Sequence, residues 1–325
     1  MSITDGNAAE AVNGDTHART LRVRVQGLLE QETLSQRAAA QQADIGYSTF
    51  LAWMGDKYNG NIQSINDKIE TWLNSHEKRK SVAVRQTRAP DYLETPTAQQ
   101  FADVFSYAQA TPDMGLITGG AGVGKTTAAQ EWQKQNPNVW IMTADSSMRS
   151  PSAILRDLAV IVEAGSDRGS RLMSMIIRRV RGTRGLIIVD EAQHLTTEAI
   201  DLLRSLYDAS GIGIVYMGNE PLRLRMEGMG RQSSHAQIFS RIGMRRKRDR
   251  PQVSDVRLVL EAWGINDAMV KKACRWIALQ PGGLRQMNKT LNYAHMLGGG
   301  ADLAGMKELA TAWRDLTGGE LPDFE

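Results

Sequence analysis

The stretch Met114 to Gln130, MGLITGGAGVGKTTAAQ, constrains the fold more than any other part of the 325 residues. It runs from a short apolar segment through a glycine-rich turn into a helix-forming segment. Within it Gly119, Gly120, Ala121, Gly122, Val123, Gly124, Lys125 and Thr126 fit G-x-x-x-x-G-K-[ST], and Thr127 follows directly. A chain nearly bare of side chains can wrap closely around an anion and turn several N–H groups inward. The helix predicted from about Lys125 adds its positive end. Lys125 can then reach the outer phosphates of a nucleoside triphosphate, and the Thr126 hydroxyl can ligate Mg²⁺.

Downstream residues extend this site. Gly185 to Glu191, GLIIVDE, reads as a strand buried on both faces and ending in two acids. Open α/β sheets bind ligands at the carboxyl ends of their strands, so Asp190 is expected to support Mg²⁺ and Glu191 to activate the attacking water. A second buried strand, Ile212 to Asn219, ends in an amide. Asn219 can help hold that water or simply form a turn. Asn138 to Thr143 is a third strand candidate, and Pro151 opens a helix after the loop Ala144 to Ser150.

From Ser254 onward four helical segments are punctuated by Pro281-Gly282-Gly283 and Gly298-Gly299-Gly300. Arg285 lies at the start of the third. Before them, Phe239-Ser240-Arg241-Ile242 leads into the basic strand Gly243 to Arg250.

Charge is unevenly spread although the net charge is only +3. Arg168 to Arg184 holds six arginines and no acid; Arg241 to Arg250 holds six basic residues and one Asp. On the helix near Ser170 to Arg181, apolar Leu172, Ile176 and Val180 fall opposite Arg171, Arg178 and Arg181. Such clusters favour a polyanionic partner. Arg149, Arg168, Arg171, Arg178, Arg179 and Arg181 are the candidate phosphate contacts. The single cysteine, Cys274, reads as a small core residue and excludes an internal disulfide. With no apolar run of membrane-spanning length and a polar first segment, no membrane partner and a cytoplasmic location are expected.

Ahead of the glycine-rich loop, residues 1–20 read as disordered and residues 79–96 as a Pro-punctuated linker. Between them, residues 21–78 carry a helix, tight turn and helix over Thr33 to Gly55. Ala40 sits where two helices approach, Ile45 plugs the turn and Phe50 returns to the core, the logic of a helix-turn-helix. Asp44 stands where glycine is usual. Tyr47, Ser48 and Thr49 would face a DNA groove.

The order of these motifs over residues 95 to 316 resembles an AAA+ ATPase. The expected fold is therefore an α/β P-loop NTPase core at 97–252 with a small helical lid at 253–325, preceded by the all-α domain. The resemblance gives Asn219 the place of a first sensor. It also makes Arg285, in Gly283-Leu284-Arg285, a second sensor. Arg241 becomes the arginine finger reaching a neighbouring subunit, with Arg231 in reserve. Asn138-Val139-Trp140, Asp190-Glu191-Ala192, Met217-Gly218-Asn219 and Phe239-Ser240-Arg241-Ile242, with the helix-turn-helix, further resemble the MuB-like target-selection ATPases of Mu-like transposing phages. That resemblance implies ATP with Mg²⁺ as cofactors. It also implies double-stranded DNA and a transposase as partners, a helical homo-oligomeric filament on target DNA, and activation of transposition. A helicase-loader type of remodeller and an ATP-switched helix-turn-helix regulator of transcription are the competing functions.

Overall fold

Three runs of apolar residues too continuous for a half-exposed surface, Met114–Gly119, Leu186–Asp190 and Gly213–Gly218, lie entirely buried in a computed structural model of the protein. The structure describes residues 5–84, 92–148, 150–165, 171–229, 241–299 and 305–324. It divides into two units, Met1–Gln86 and Thr87–Glu325.

The first unit is helical: α1 (Asp5–Gln31), α2 (Gln36–Gln42), α3 (Tyr47–Met54) and α4 (Ile62–Val84). Ser35 caps α2 through its hydroxyl, which accepts from Ala38 N at 3.2 Å. Asp44 turns the chain with φ +54°, a left-handed conformation that Asp tolerates better than most residues. Ala40, Ile45 and Phe50 are buried as their spacing requires, and Trp53 donates to Asn66 Oδ1 at 2.9 Å. The expectation of disorder over residues 1–20 is corrected: α1 begins at Asp5. Ala18, Leu21, Val25 and Leu29 recur at helical spacing and are buried, so the apolar stripe begins before Leu21.

The second unit is built on five parallel strands, β1 (Met114–Gly119), β2 (Val139–Thr143), β3 (Leu186–Asp190), β4 (Gly213–Gly218) and β5 (Ile242–Arg248), in the order β2-β3-β4-β1-β5. Helices α5 (Pro96–Ala110), α6 (Lys125–Gln135), α7 (Pro151–Ile161), α8 (Leu172–Val180), α9 (Thr197–Ser210) and α10 (Glu220–Met229) supply the connections. One apolar cluster joins Trp140, Met142, Ile187, Val189 and Tyr216 to α7, α8 and α9; another packs Phe101 and Phe105 of α5 with Ile117, Ile188 and Val215. Because β4 lies between β3 and β1, the ends of all three strands converge beside the glycine-rich loop.

A separate core closes the lid, α11 (Val253–Ala262), α12 (Ala268–Ala278), α13 (Gly283–Leu297) and α14 (Met306–Thr317). Cys274 is buried in it. Leu93, from the expected linker, packs against the same core. The lid is tied to the sheet unit through Asp255, which is fully buried. Its carboxylate accepts from Thr97 N at 3.0 Å, Thr97 Oγ1 at 2.5 Å and Gln252 N at 2.7 Å. A buried carboxylate needs that satisfaction, and here it fastens the start of α11 to the start of α5.

Candidate nucleotide site

At the carboxyl end of β1 the chain leaves the sheet with no room for side chains. A Cβ on Gly119 would lie 1.9 Å from Arg248 O, and one on Gly120 2.2 Å from Asp249 O. Gly124 precedes α6 with φ +94°, a conformation open to glycine at little cost. Gly122 adopts φ +77°, and its Cβ would lie 1.8 Å from Gly282 O. Leu284 N donates to Gly122 O at 3.0 Å. The lid therefore begins directly on the glycine-rich loop, and Pro281-Gly282-Gly283 is a contact surface as well as a helix boundary.

Ala121, Gly122, Val123, Gly124, Lys125, Thr126 and Thr127 line a cavity of about 380 Å³ together with Glu191 and, from the lid, Arg285. Lys125 Nζ donates to Gly119 O and Gly120 O, both at 2.9 Å. Burial lowers its pKa; Asp190 and Glu191 oppose that shift and Arg285 adds to it. Thr126 Oγ1 donates to Asp190 Oδ2 at 2.6 Å, across 64 residues of chain. A hydroxyl and a carboxylate oxygen so close form a hard-oxygen pair, the donor chemistry that suits Mg²⁺ beside phosphates. Among the described residues no group of three or more His, Cys, Asp or Glu could hold a metal without further ligands.

Glu191 has φ +52°; its N–H donates to Asp190 Oδ1 at 2.9 Å, and its carboxylate accepts from Gln193 Nε2. Asn219 follows β4, caps the start of α10 through its carbonyl, and has its side-chain Oδ1 buried without a hydrogen-bond partner. Thus the structure brings Lys125, Thr126, Glu191 and Arg285 to one cavity, with Asp190 bonded to Thr126. Asn219 directly follows the strand next to β3.

Further cavity residues were not singled out in the sequence. Tyr92, Leu93 and Val259 give an apolar wall suited to a nucleobase, and Asn288, Lys289 and Asn292 continue the face of α13 that bears Arg285. The second group was detectable, since 285, 288, 289 and 292 follow helical spacing. The first came from a stretch read as linker.

Arg241 is elsewhere. Ile242 pairs with Met114 at the amino end of the sheet, whereas Arg248 pairs with Gly119 at the loop. The strand length separates Arg241 from its own glycine loop by roughly 20 Å. Its guanidinium pairs with Asp208 Oδ2 at 3.1 Å. Arg178 and Arg179 are exposed on α8, and Arg171, the residue before its first turn, is exposed as well. Arg181 donates to Ala209 O at 2.6 Å, which directs it to the carboxyl end of α9. Tyr47 and Ser48 are exposed and Thr49 is half-buried. Arg149, Arg168 and Arg231 lie outside the described residues.

Strand order, glycine-rich loop and paired acids define an ATPase of the AAA class, and an AAA domain model matches residues 108–226. The model of the Mu B transposition protein's C-terminal part matches residues 240–316. The chain is 34% identical over 280 residues to ATP-dependent target DNA activator B of Escherichia phage Mu, covering 85% of this chain and 88% of that protein. It is 35% identical over 269 residues to the Mu-like prophage FluMu DNA transposition protein B of Haemophilus influenzae, covering 81% and 92%. The chain belongs to the Mu B transposition protein family. Among the described residues no helix is long and apolar enough to cross a membrane.

Proposed function

We propose that this ATPase binds double-stranded DNA in its ATP-bound state, assembles on it as a helical filament and activates a transposase at that target. The observation that carries the assembly reading is the distance between Arg241 and its own glycine loop, since the two lie at opposite ends of the β1–β5 pair. An arginine so far from its own cavity can serve as a finger only toward a nucleotide held by a neighbouring protomer. Head-to-tail contacts that do not close give filaments, with ATP as the joint. The names of the phage Mu and Haemophilus relatives support the transposition role.

Within each site Lys125 and Arg285 hold the outer phosphates, and Asn219 helps orient water. Glu191 accepts that water's proton as its oxygen bonds to the γ-phosphorus and ADP leaves with the bridging oxygen. Thr126 and Asp190 are the residues that would hold Mg²⁺, which supplies charge neutralisation on the phosphates. Exposed Arg171, Arg178 and Arg179 suit phosphate contacts that ignore base sequence and weaken in salt.

Electron microscopy of the protein on long DNA of unrelated sequence, with ATP, ADP or no nucleotide at two salt concentrations, tests this. Filaments confined to ATP and thinned by salt are expected. Closed rings without DNA coating would instead favour a loader, and occupancy of a single short sequence a transcription regulator.

A further inference from the structure

Glu191 is unusual in how little freedom its main chain retains. It is in the left-handed region at φ +52°. Its N–H is engaged by Asp190 Oδ1 at 2.9 Å, and its carbonyl accepts from His194 N at 3.0 Å. What remains free is the side chain, two torsions and the rotation of a carboxylate. Gln193 addresses that remainder by donating Nε2–H to Glu191 Oε2.

Gln193 is itself confined. It lies in the 3₁₀ turn Ala192–His194; Ala192 and the following Leu195 are buried in the sheet core, and the turn packs against β4 and α10. Its Oε1 is buried without a hydrogen-bond partner. A Cβ on Gly218 would come within 2.6 Å of that oxygen, so the end of β4 is bare where the amide lies. An amide kept in place at the expense of an unpaired acceptor is spending its donor on a single task.

We propose that Gln193 is a positioning residue for ATP hydrolysis: by occupying one oxygen of Glu191 it fixes the carboxylate plane and leaves the other oxygen to take the proton of water. The amide is too weak a base to take that proton and touches no reacting atom. It acts through Glu191, so the inference rests on Glu191 being the group that activates water. Because β4 delivers both Gly218 and Asn219, the same strand end sets the amide and the neighbouring polar residue.

The test is steady-state ATPase kinetics and ATP-binding calorimetry on the full chain with Gln193→Met, Glu191→Gln and the double variant. Methionine keeps the length and bulk of glutamine and removes the donor. Gln193→Met is expected to lower kcat by about tenfold with KM and ATP affinity unchanged, as loss of alignment rather than of binding. In the Glu191→Gln background the same change should have no further effect, the non-additivity of two residues acting as one unit. Should methionine unfold the protein, Gln193→Asn carries the same expectation, because its amide stops one methylene short. Wild-type kcat in Gln193→Met or Gln193→Asn, alongside a collapsed kcat in Glu191→Gln, overturns the role of Gln193 alone. Wild-type turnover in Glu191→Gln overturns the underlying assignment as well.

Discussion

At the carboxyl end of the sheet several polar groups are held by neighbours. Lys125 bonds two loop carbonyls, Thr126 bonds Asp190, Gln193 bonds Glu191, and Gly122 is seated on Gly282 of the lid. At the amino end, among the described residues, Arg241 has one ion pair, to Asp208, which it shares with Arg204, and about a third of its side chain (36%) is in solvent. A partly exposed pair of that kind contributes on the order of 1 kcal/mol. The contrast separates two jobs. Nucleotide binding needs donors already aimed before ligand arrives. A group that is to act on a neighbour's nucleotide must be cheap to release from its own surface.

Breaking the carboxyl end should have the largest consequences. Lys125→Ala removes the cation beside the loop and should cut ATP affinity by about a hundredfold or more and abolish measurable turnover. ATP-binding calorimetry with near-native affinity in that variant would show that the loop binds without it. Glu191→Gln should leave binding intact and slow hydrolysis by about 10²–10⁴-fold, the range of a lost general base. On the proposed reading, filaments of that variant should persist on DNA, measurable as the dissociation time after free ATP is removed.

Gly122→Ala tests the lid contact. The new Cβ meets Gly282 O and the backbone is held at φ +77°, so the lid must shift. An ATP affinity loss of about tenfold is expected, with the thermal midpoint falling by a few degrees for about 1–2 kcal/mol of strain.

The amino end should respond differently. Arg241→Ala should leave ATP binding by isolated protomers and the melting temperature nearly unchanged. Turnover in the DNA-assembled state should drop by about tenfold or more. An equal drop at dilutions where no assembly forms would erase the distinction between the two ends. The smallest effect is expected away from both. Burial pushes the Cys274 thiol up to about 12, so at pH 8 it is protonated as well as enclosed by the lid core. Reaction with a thiol reagent should follow lid unfolding, at a rate that ATP slows. Rapid labelling of native protein would mean that the lid core opens locally.

What local patterning can encode was readable in the chain. The glycine-rich loop, the acids closing β3, the buried strands and the helix, turn and helix around Ala40, Ile45 and Phe50 each depend on neighbours within a few residues. Their signals are steric or periodic and survive in one dimension. The start of α1 was missed because Ala18 extends the apolar stripe with a residue of low hydrophobicity.

Other features depend on contacts between distant residues and leave no local signature. Thr97 meets Asp255 across 158 residues, and the seating of Gly282 on Gly122 turns a helix boundary into part of the cavity. Tyr92 and Leu93 become cavity wall only because the lid core receives Leu93. The placement of β4 between β3 and β1 brings Gly218 against Gln193 and so frames the carboxylate of Glu191. Composition and spacing specify which groups are available. Which of them meet is set by close packing, whose partners are chosen by shape across the whole unit.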